Sequence, residues 1–155
     1  MSEAPEATDS ELFEFITFTT GGQVFCLEIT DIREIRRWTK VTALPQTPKE
    51  VLGVMNLRGA VIPIFDLAGW FGLGETQENE RNVVIIAAVD GQMFGLLVET
   101  VSEILSARKS DIQPTPSMQS ETAKAALHGV ISVGDEMVRV VRAQTISGQT
   151  AEIAA

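Results

Sequence analysis

The stretch that decides the fold is VLGVMNLRGAVIPIFDLAGWFG, residues 51–72. It consists of two apolar runs, Val51–Leu57 and Ala60–Leu67, on either side of a short polar interruption. Both runs are rich in β-branched residues and too short for helices, which favours two strands. Gly59 can take a positive φ at no steric cost, so the pattern predicts a β-hairpin that presents Arg58 at its turn.

Further strand and turn signals lie on either side of this hairpin. Pro63 has no N–H to donate to a neighbouring strand, so the second strand of the hairpin is expected at a sheet edge or a bulge. A second hairpin is predicted around Asp90-Gly91, and a third within Gly129–Val141. A short helix is predicted over Ser120–Leu127, ending at His128, whose expected role is to cap the last carbonyl groups.

The chain also contains an internal repeat. At a shift of 69 residues, the segment that begins at Gly22 matches the segment that begins at Gly91, including Gly-Gln-x-Phe and a later Glu-Ile pair. At a shift of 76, Gly53-Val54 matches Gly129-Val130. A repeat of this length indicates one supersecondary unit built twice, each with about five short strands. Such a unit has too few apolar residues to be stable alone, which predicts an all-β protein of two small five-stranded β-barrels packed side by side, with one or two short helices.

Arg58 is present in only one of the two copies of the repeat. The first hairpin turn reads Asn-Leu-Arg-Gly at residues 56–59, whereas its counterpart at 132–135 reads Ser-Val-Gly-Asp. Because the second copy turns without an arginine, the hairpin itself does not need Arg58. Two explanations remain open: Arg58 pairs with an acid such as Glu34, or it contacts a partner protein.

Length and charge bound the domain organisation and the partners. The 155 residues suit one domain or two small lobes, and the acidic, polar segment 73–82 is the expected seam between the halves. Residues 1–12 are expected to form a disordered acidic tail, and residues 149–155 a frayed end. The net charge of the chain is −9, and five of its acidic residues lie in the first fourteen positions. That balance argues against binding to nucleic acid or to an anionic membrane surface. No direct membrane insertion is expected, and the lack of a leader favours the cytoplasm.

The side chains that enzymes use are scarce. The sequence has one histidine, His128, and one cysteine, Cys26, so it predicts neither a disulfide nor a multi-residue metal site. No Gly-x-Ser-x-Gly motif is present, and the glycines at 69, 72 and 74 do not follow the pattern of a phosphate-binding loop. We therefore expect no catalytic activity and no cofactor.

The motif GVMNLRGAVIPIFDL at Gly53–Leu67 resembles the signature of the CheW family, the coupling proteins of bacterial chemotaxis. The similarity extends over about Phe13–Ile146, within a domain expected at 13–148. The resemblance implies two SH3-like barrels and a non-enzymatic adaptor. It also implies two partners, the cytoplasmic helices of a chemoreceptor and the regulatory domain of the histidine kinase CheA. Such an adaptor would be cytoplasmic and recruited to membrane-associated receptor arrays.

The resemblance also implies which residues contact a partner. In that family a receptor helix lies in an apolar groove between the barrels, which is a helix-in-groove interaction. Carried over by position, the polar pair is Glu34 and Arg58, and the groove residues are Ile32, Val83, Val84, Gly95, Val101 and Ile104. The segment Val140–Gln144 departs from the family pattern, because it lacks the apolar-Asp-apolar sequence that precedes a terminal helix, and the sequence leaves that helix open.

Two alternatives remain on the sequence alone. The chain could be a CheW-like regulatory module of a CheA-type kinase or of a CheW-receiver protein. It could also be an unrelated SH3-like barrel with enzymatic or nucleic-acid-binding activity, although the missing catalytic residues and the acidic charge argue against that.

Overall fold

A computed structural model of the chain describes residues 11–48, 50–115 and 121–154. The strands are β1 Leu12–Thr20, β2 Gln23–Glu28, β3 Ile32–Arg37, β4 Val51–Leu57, β5 Ala60–Asp66, β6 Val83–Val89, β7 Gln92–Val98, β8 Thr100–Arg108, β9 Leu127–Val133 and β10 Glu136–Val141. The helices are α1 Leu67–Trp70, α2 Glu121–Ala125 and α3 Ala143–Ala154, with 3₁₀ turns at Ile29–Asp31 and Lys109–Asp111. Most of the predicted tail, residues 1–10, and the predicted helix start at Ser120 lie outside the described residues.

The strands form two five-stranded sheets, which confirms the predicted fold class. The first sheet has the order β8-β1-β2-β10-β9, and the second has the order β3-β6-β7-β5-β4. Among the described residues no ladder of backbone hydrogen bonds joins the two edge strands of either sheet. Each sheet consists of antiparallel strand pairs joined by one short parallel pairing, β2 with β10 or β5 with β7.

Strands from both repeats are present in both sheets. The repeats are β1–β5 and β6–β10, yet the first sheet contains β8, β9 and β10, and the second contains β3, β4 and β5. Each repeat thus keeps its first hairpin in one sheet and contributes its last three strands to the other. The segment 73–82 separates the two repeats in the sequence, but it does not separate two lobes in the fold.

The strand registers confirm the repeat residue by residue. Ile104 pairs with Ile16 in the first sheet, and its equivalent Ile35 pairs with Ile85 in the second. The same irregularity interrupts both ladders, between positions 16 and 18 of β1 and between 32 and 34 of β3. The repeat is therefore present in the structure down to its bulges.

The signature hairpin forms as predicted. Arg58 and Gly59 both have positive φ, 51° and 87°, which is the conformation of a type I′ turn. The strand that contains Pro63 is an inner strand, so the predicted edge position is wrong, whereas a bulge does interrupt its pairing with β4 between Val51 and Gly53. Proline is tolerated there because Val54, opposite Pro63, exchanges both backbone hydrogen bonds with Thr42, and because the pairing of β5 with β7 begins only at Ile64.

Buried apolar side chains form three clusters. The central cluster lies between the sheets and includes Phe18, Phe25, Leu27, Phe65, Ile85, Phe94 and Leu96. An outer cluster covers the opposite face of each sheet: Phe15, Cys26, Ile131, Val138 and Val140 in the first, and Leu57, Ile62, Ile64, Val84 and Leu97 in the second. Burial raises the pKa of the Cys26 thiol to about 12, so this cysteine is a packing residue.

Two predictions near the C-terminus differ from the structure. His128 lies in β9 and not at the end of a helix, because α2 ends at Ala125 and the strand begins two residues later. The chain from Ala143 to Ala154 is helical, where the sequence predicted a frayed end after residue 148. Ile146 of this helix is fully buried in the central cluster, and that contact fixes the helix against the two sheets.

Candidate partner-binding surface

Four of the predicted groove residues lie on strand faces directed toward the layer between the two sheets. Three of them, Ile32, Val83 and Val101, are partly buried and pack against the central cluster. Ile32 and Val101 are equivalent positions of the repeat, and each pairs with a residue of the central cluster, Ala87 or Phe18. We call Ile32, Val83, Val101 and Ile104 the apolar margin.

Ile104 is the most exposed member of the apolar margin. Its side chain is 57% exposed, although it stands beside Ile16 on the same face as Leu27 of the central cluster. Directly opposed residues share a face of the sheet, so Ile104 extends the apolar face of the first sheet beyond the covered region. The isoleucine therefore leaves aliphatic surface exposed to solvent.

Val84 and Gly95 do not belong to this surface. Val84 is fully buried in the outer cluster of the second sheet, and Gly95 is buried beside it. A Cβ atom on Gly95 would approach Ile64 Cδ1 to 2.5 Å and Val84 Cγ1 to 3.0 Å. The glycine is needed for packing inside the sheet, and the predicted role of both residues is corrected from partner contact to core packing.

Glu34 and Arg58 form the predicted ion pair. Arg58 Nη2 donates to Glu34 Oε2 at 2.7 Å, and Arg36 Nη1 donates to Glu34 Oε1 at 2.8 Å. Glu34 lies on β3 and Arg58 on the turn after β4, which are at opposite edges of the second sheet. The pair therefore requires the sheet to curl around its outer cluster.

The ion pair and the apolar margin lie on different faces of β3. Ile32 pairs with Ala87 of the central cluster, whereas Glu34 pairs with Ile86 of the outer cluster. Residues two apart normally share a face, and the bulge between 32 and 34 breaks that rule. The structure thus separates the predicted site into an apolar surface and a charged one.

The two arginines hold the pKa of Glu34 below its ordinary value, through hydrogen bonds from Arg36 and Arg58 and through their positive charges. Because the pKa is lowered in the folded state, the ionised carboxylate stabilises the fold above the pKa of an unfolded glutamate, about 4.3. This contribution is lost as the pH falls through the lowered folded-state value.

We expect an Arg58→Ala variant to show this dependence. Its free energy of unfolding should be slightly below that of the parent chain at pH 7, because an exposed ion pair contributes little, and the difference should be smaller at an acidic pH below the ordinary glutamate value of about 4.3. Urea unfolding of both chains at the two pH values measures it. Arg37→Ala is the matched control, since Arg37 is an exposed arginine on the same strand as Glu34 and makes no ion pair in the described residues. A difference that grows on acidification would contradict the assignment.

Ile35 was missed on the sequence alone. It is the repeat equivalent of Ile104, it pairs with Ile85 of the central cluster, and it is 44% exposed. The signal was present in the aligned Glu-Ile pairs at 34–35 and 103–104. Both edge strands therefore present an isoleucine on the face that carries the apolar margin.

The described residues offer little for other kinds of site. No group of three or more His, Cys, Asp or Glu side chains in them is arranged to hold a metal ion. None of the helices in the same residues combines the length and apolar character needed to cross a membrane.

Comparisons with known proteins agree with this geometry. Residues 14–150 match the model of the CheW-like domain. The chain is 39% identical over 155 residues to a probable chemotaxis protein CheW of Rhizobium etli, covering 100% of both chains. It is 41% identical over 133 residues to the chemotaxis protein CheW of Rhizobium meliloti, covering 86% of both.

A solved structure shares the fold. The crystal structure of the scaffolding protein TtCheW from Thermoanaerobacter tengcongensis has a TM-score of 0.76 and 27% identity, with 90% of each chain covered. The sheets, the signature hairpin and these relatives agree, and the chain belongs to the CheW family of non-enzymatic chemotaxis scaffolding proteins.

Proposed function

We propose that this chain couples the cytoplasmic tip of a chemoreceptor to the regulatory domain of the histidine kinase CheA. In this proposal the chain acts in the cytoplasm and is recruited to receptor arrays at the membrane. The receptor helix lies along the apolar margin, and the kinase binds elsewhere on the two sheets.

The observation that carries the proposal is the exposure of Ile104 next to a continuous apolar layer. A helix with aliphatic residues three and four positions apart can cover such a margin, and the aliphatic contacts would supply affinity. The partly buried Ile32, Val83 and Val101 would form the floor of the contact.

The ion pair has a positioning role in this proposal. Arg58 ties the hairpin turn to β3, the strand that carries Ile32 and Ile35. The Arg58 side chain is 70% exposed, so its guanidinium group can also contact a partner from the outer face. Both roles place Glu34 and Arg58 at the edge of the binding surface and not at its centre.

Co-sedimentation tests the proposal. Membranes that contain the chemoreceptor should sediment the chain, and they should retain the kinase in larger amount when the chain is present. Membranes without the receptor serve as the control. Equal sedimentation with both kinds of membrane, or kinase retention that is independent of the chain, would contradict the proposed function.

A further inference from the structure

A cavity of about 250 Å³ opens on the outer face of the first sheet. Phe15 and Val140 of the outer cluster lie in its wall, and Glu28, Asp31, Lys109 and His128 line it with polar groups. The cavity is on the opposite face of the sheet from the central cluster. It is therefore distinct from the apolar margin.

The repeat provides an internal reference for this cavity. Leu97 occupies the position equivalent to Glu28, and Leu52 occupies the position equivalent to His128. Both leucines pack into the outer cluster of the second sheet. The same scaffold is thus filled by apolar side chains in one copy and lined by ionisable groups in the other.

A third equivalent pair explains the open space. Trp38 packs against the outer cluster of the second sheet, whereas its equivalent in the first sheet is Ala107. An indole side chain occupies far more volume than a methyl group, and the first sheet lacks that filling. Apolar residues occupy the equivalent positions in the second copy, which has the same strand arrangement. The polar lining of the first copy is therefore not required for folding.

The two acids of the cavity wall, Glu28 and Asp31, lie close enough for their charges to interact. Glu28 and Asp31 are half-buried, and neither makes an ion pair within 4.0 Å in the described residues, although Lys109 lines the same cavity. Burial raises the pKa of both carboxyl groups, and for Glu28 the charge of Asp31 adds to it. A hydrogen bond from Thr30 and the charge of Arg33 act in the opposite direction.

His128 does not supply the missing positive charge near neutral pH. Partial burial and the neighbouring Arg142 lower the pKa of its imidazole. The cavity therefore combines two partly desolvated carboxylates with an aromatic and aliphatic wall. Its complement is a positive charge carried on a short apolar chain.

We propose that this cavity binds an ammonium or guanidinium group on a short aliphatic chain, with the charge between Glu28 and Asp31 and the chain against Phe15 and Val140. A lysine or arginine side chain of a protein and a free alkylamine both carry this chemistry. The site does not depend on the coupling function proposed above, because it lies on the other face of the sheet.

The test is an NMR titration of the full chain with n-butylguanidinium, beside n-butylurea as a neutral probe of the same shape. Butylguanidinium should shift the amide resonances of residues 28–31 and 128 in a saturable manner, and butylurea should bind at least about tenfold more weakly. Glu28→Gln and Asp31→Asn should each weaken the guanidinium affinity by about tenfold. Glu103→Gln, at an exposed acid outside the cavity, should bind like the parent chain.

A second arm identifies the source of the charge. A blocked Gly-Arg-Gly peptide that binds more tightly than butylguanidinium supports a protein side chain, whereas tighter binding of the free compound supports a small molecule. Equal affinity for butylurea and butylguanidinium would overturn the proposal. So would the absence of saturable shifts up to about 50 mM, or an affinity unchanged in both acid variants.

Discussion

An Ile104→Asp variant should lose at least about thirtyfold in affinity for receptor-containing membranes, which corresponds to about 2 kcal/mol. The aspartate would be solvated in the free protein, because Ile104 is mostly exposed. In the complex the same carboxylate would be buried against an aliphatic surface without a partner, and that desolvation is costly. The fold should be intact, so the loss would come from binding alone.

Met137→Asp is the matched control. Met137 is 42% exposed and also lies on the first sheet, but β10 is three strands away from β8. It should bind receptor membranes as the parent chain does. Binding isotherms without the kinase measure both variants, and circular dichroism checks their folding. An Ile104→Asp variant with unchanged affinity would place the receptor contact away from the apolar margin.

Gly53→Ala and Gly129→Ala should each lower the free energy of unfolding by about 2–4 kcal/mol. A Cβ atom on Gly53 would overlap the carbonyl group of Thr42, and one on Gly129 would overlap the carbonyl group of Gln113. Both glycines also have positive φ, 152° and 156°. The two positions are equivalent in the repeat, so similar losses are expected.

The neighbouring backbone cannot easily move away from the added methyl group. Thr42 exchanges two hydrogen bonds with Val54, at 2.8 and 2.9 Å, and Gln113 exchanges two with Val130, at 2.7 and 2.9 Å. A shift of either segment would weaken its two hydrogen bonds, and that loss adds to the steric cost of the methyl group. The total stability of such a domain is about 5–15 kcal/mol, so each loss is a large fraction of it.

Gly148→Ala is the control for these variants. Gly148 is exposed within α3, and a Cβ atom there would meet nothing within 4 Å. Alanine in a helix is favoured over glycine, so this variant should gain up to about 1 kcal/mol. Urea unfolding followed by tryptophan fluorescence measures all three chains. Losses below about 0.5 kcal/mol at both Gly53 and Gly129 would show that the hydrogen-bonded segments at Thr42 and Gln113 move aside without cost.

Local patterns predicted the parts of the fold that depend on local chemistry. The positive-φ turn at Arg58-Gly59 and the pairing of Arg58 with Glu34 were both accessible from the sequence. The repeat was also visible, since Gly-Gln-x-Phe and Glu-Ile recur at one shift. A repeat does not show which sheet each strand joins, because the same side-chain pattern is compatible with pairing inside its own repeat and with pairing to the other repeat. The exchange of strands between the repeats was therefore found only in the structure.

The errors at the candidate site have one physical origin. Val84 lies on β6, an inner strand covered on both faces, so its apolar neighbours carry no alternation that separates core from surface. The bulge in β3 changed the face of Glu34 relative to Ile32, and a bulge leaves no simple mark in the sequence. The exposed Ile104 and the buried Val84 are equally apolar, and only the tertiary packing distinguishes them.

The exchange of strands has a consequence for how such a chain can arise and be divided. Neither half of the polypeptide contains a complete sheet, since each half supplies two strands to one sheet and three to the other. Two half-length chains of this kind would be stable only as an intertwined homodimer, and the present molecule has the topology of such a dimer fused head to tail into one chain. Cutting it between Gly72 and Asn82 would therefore yield two fragments that fold only by recombining with each other.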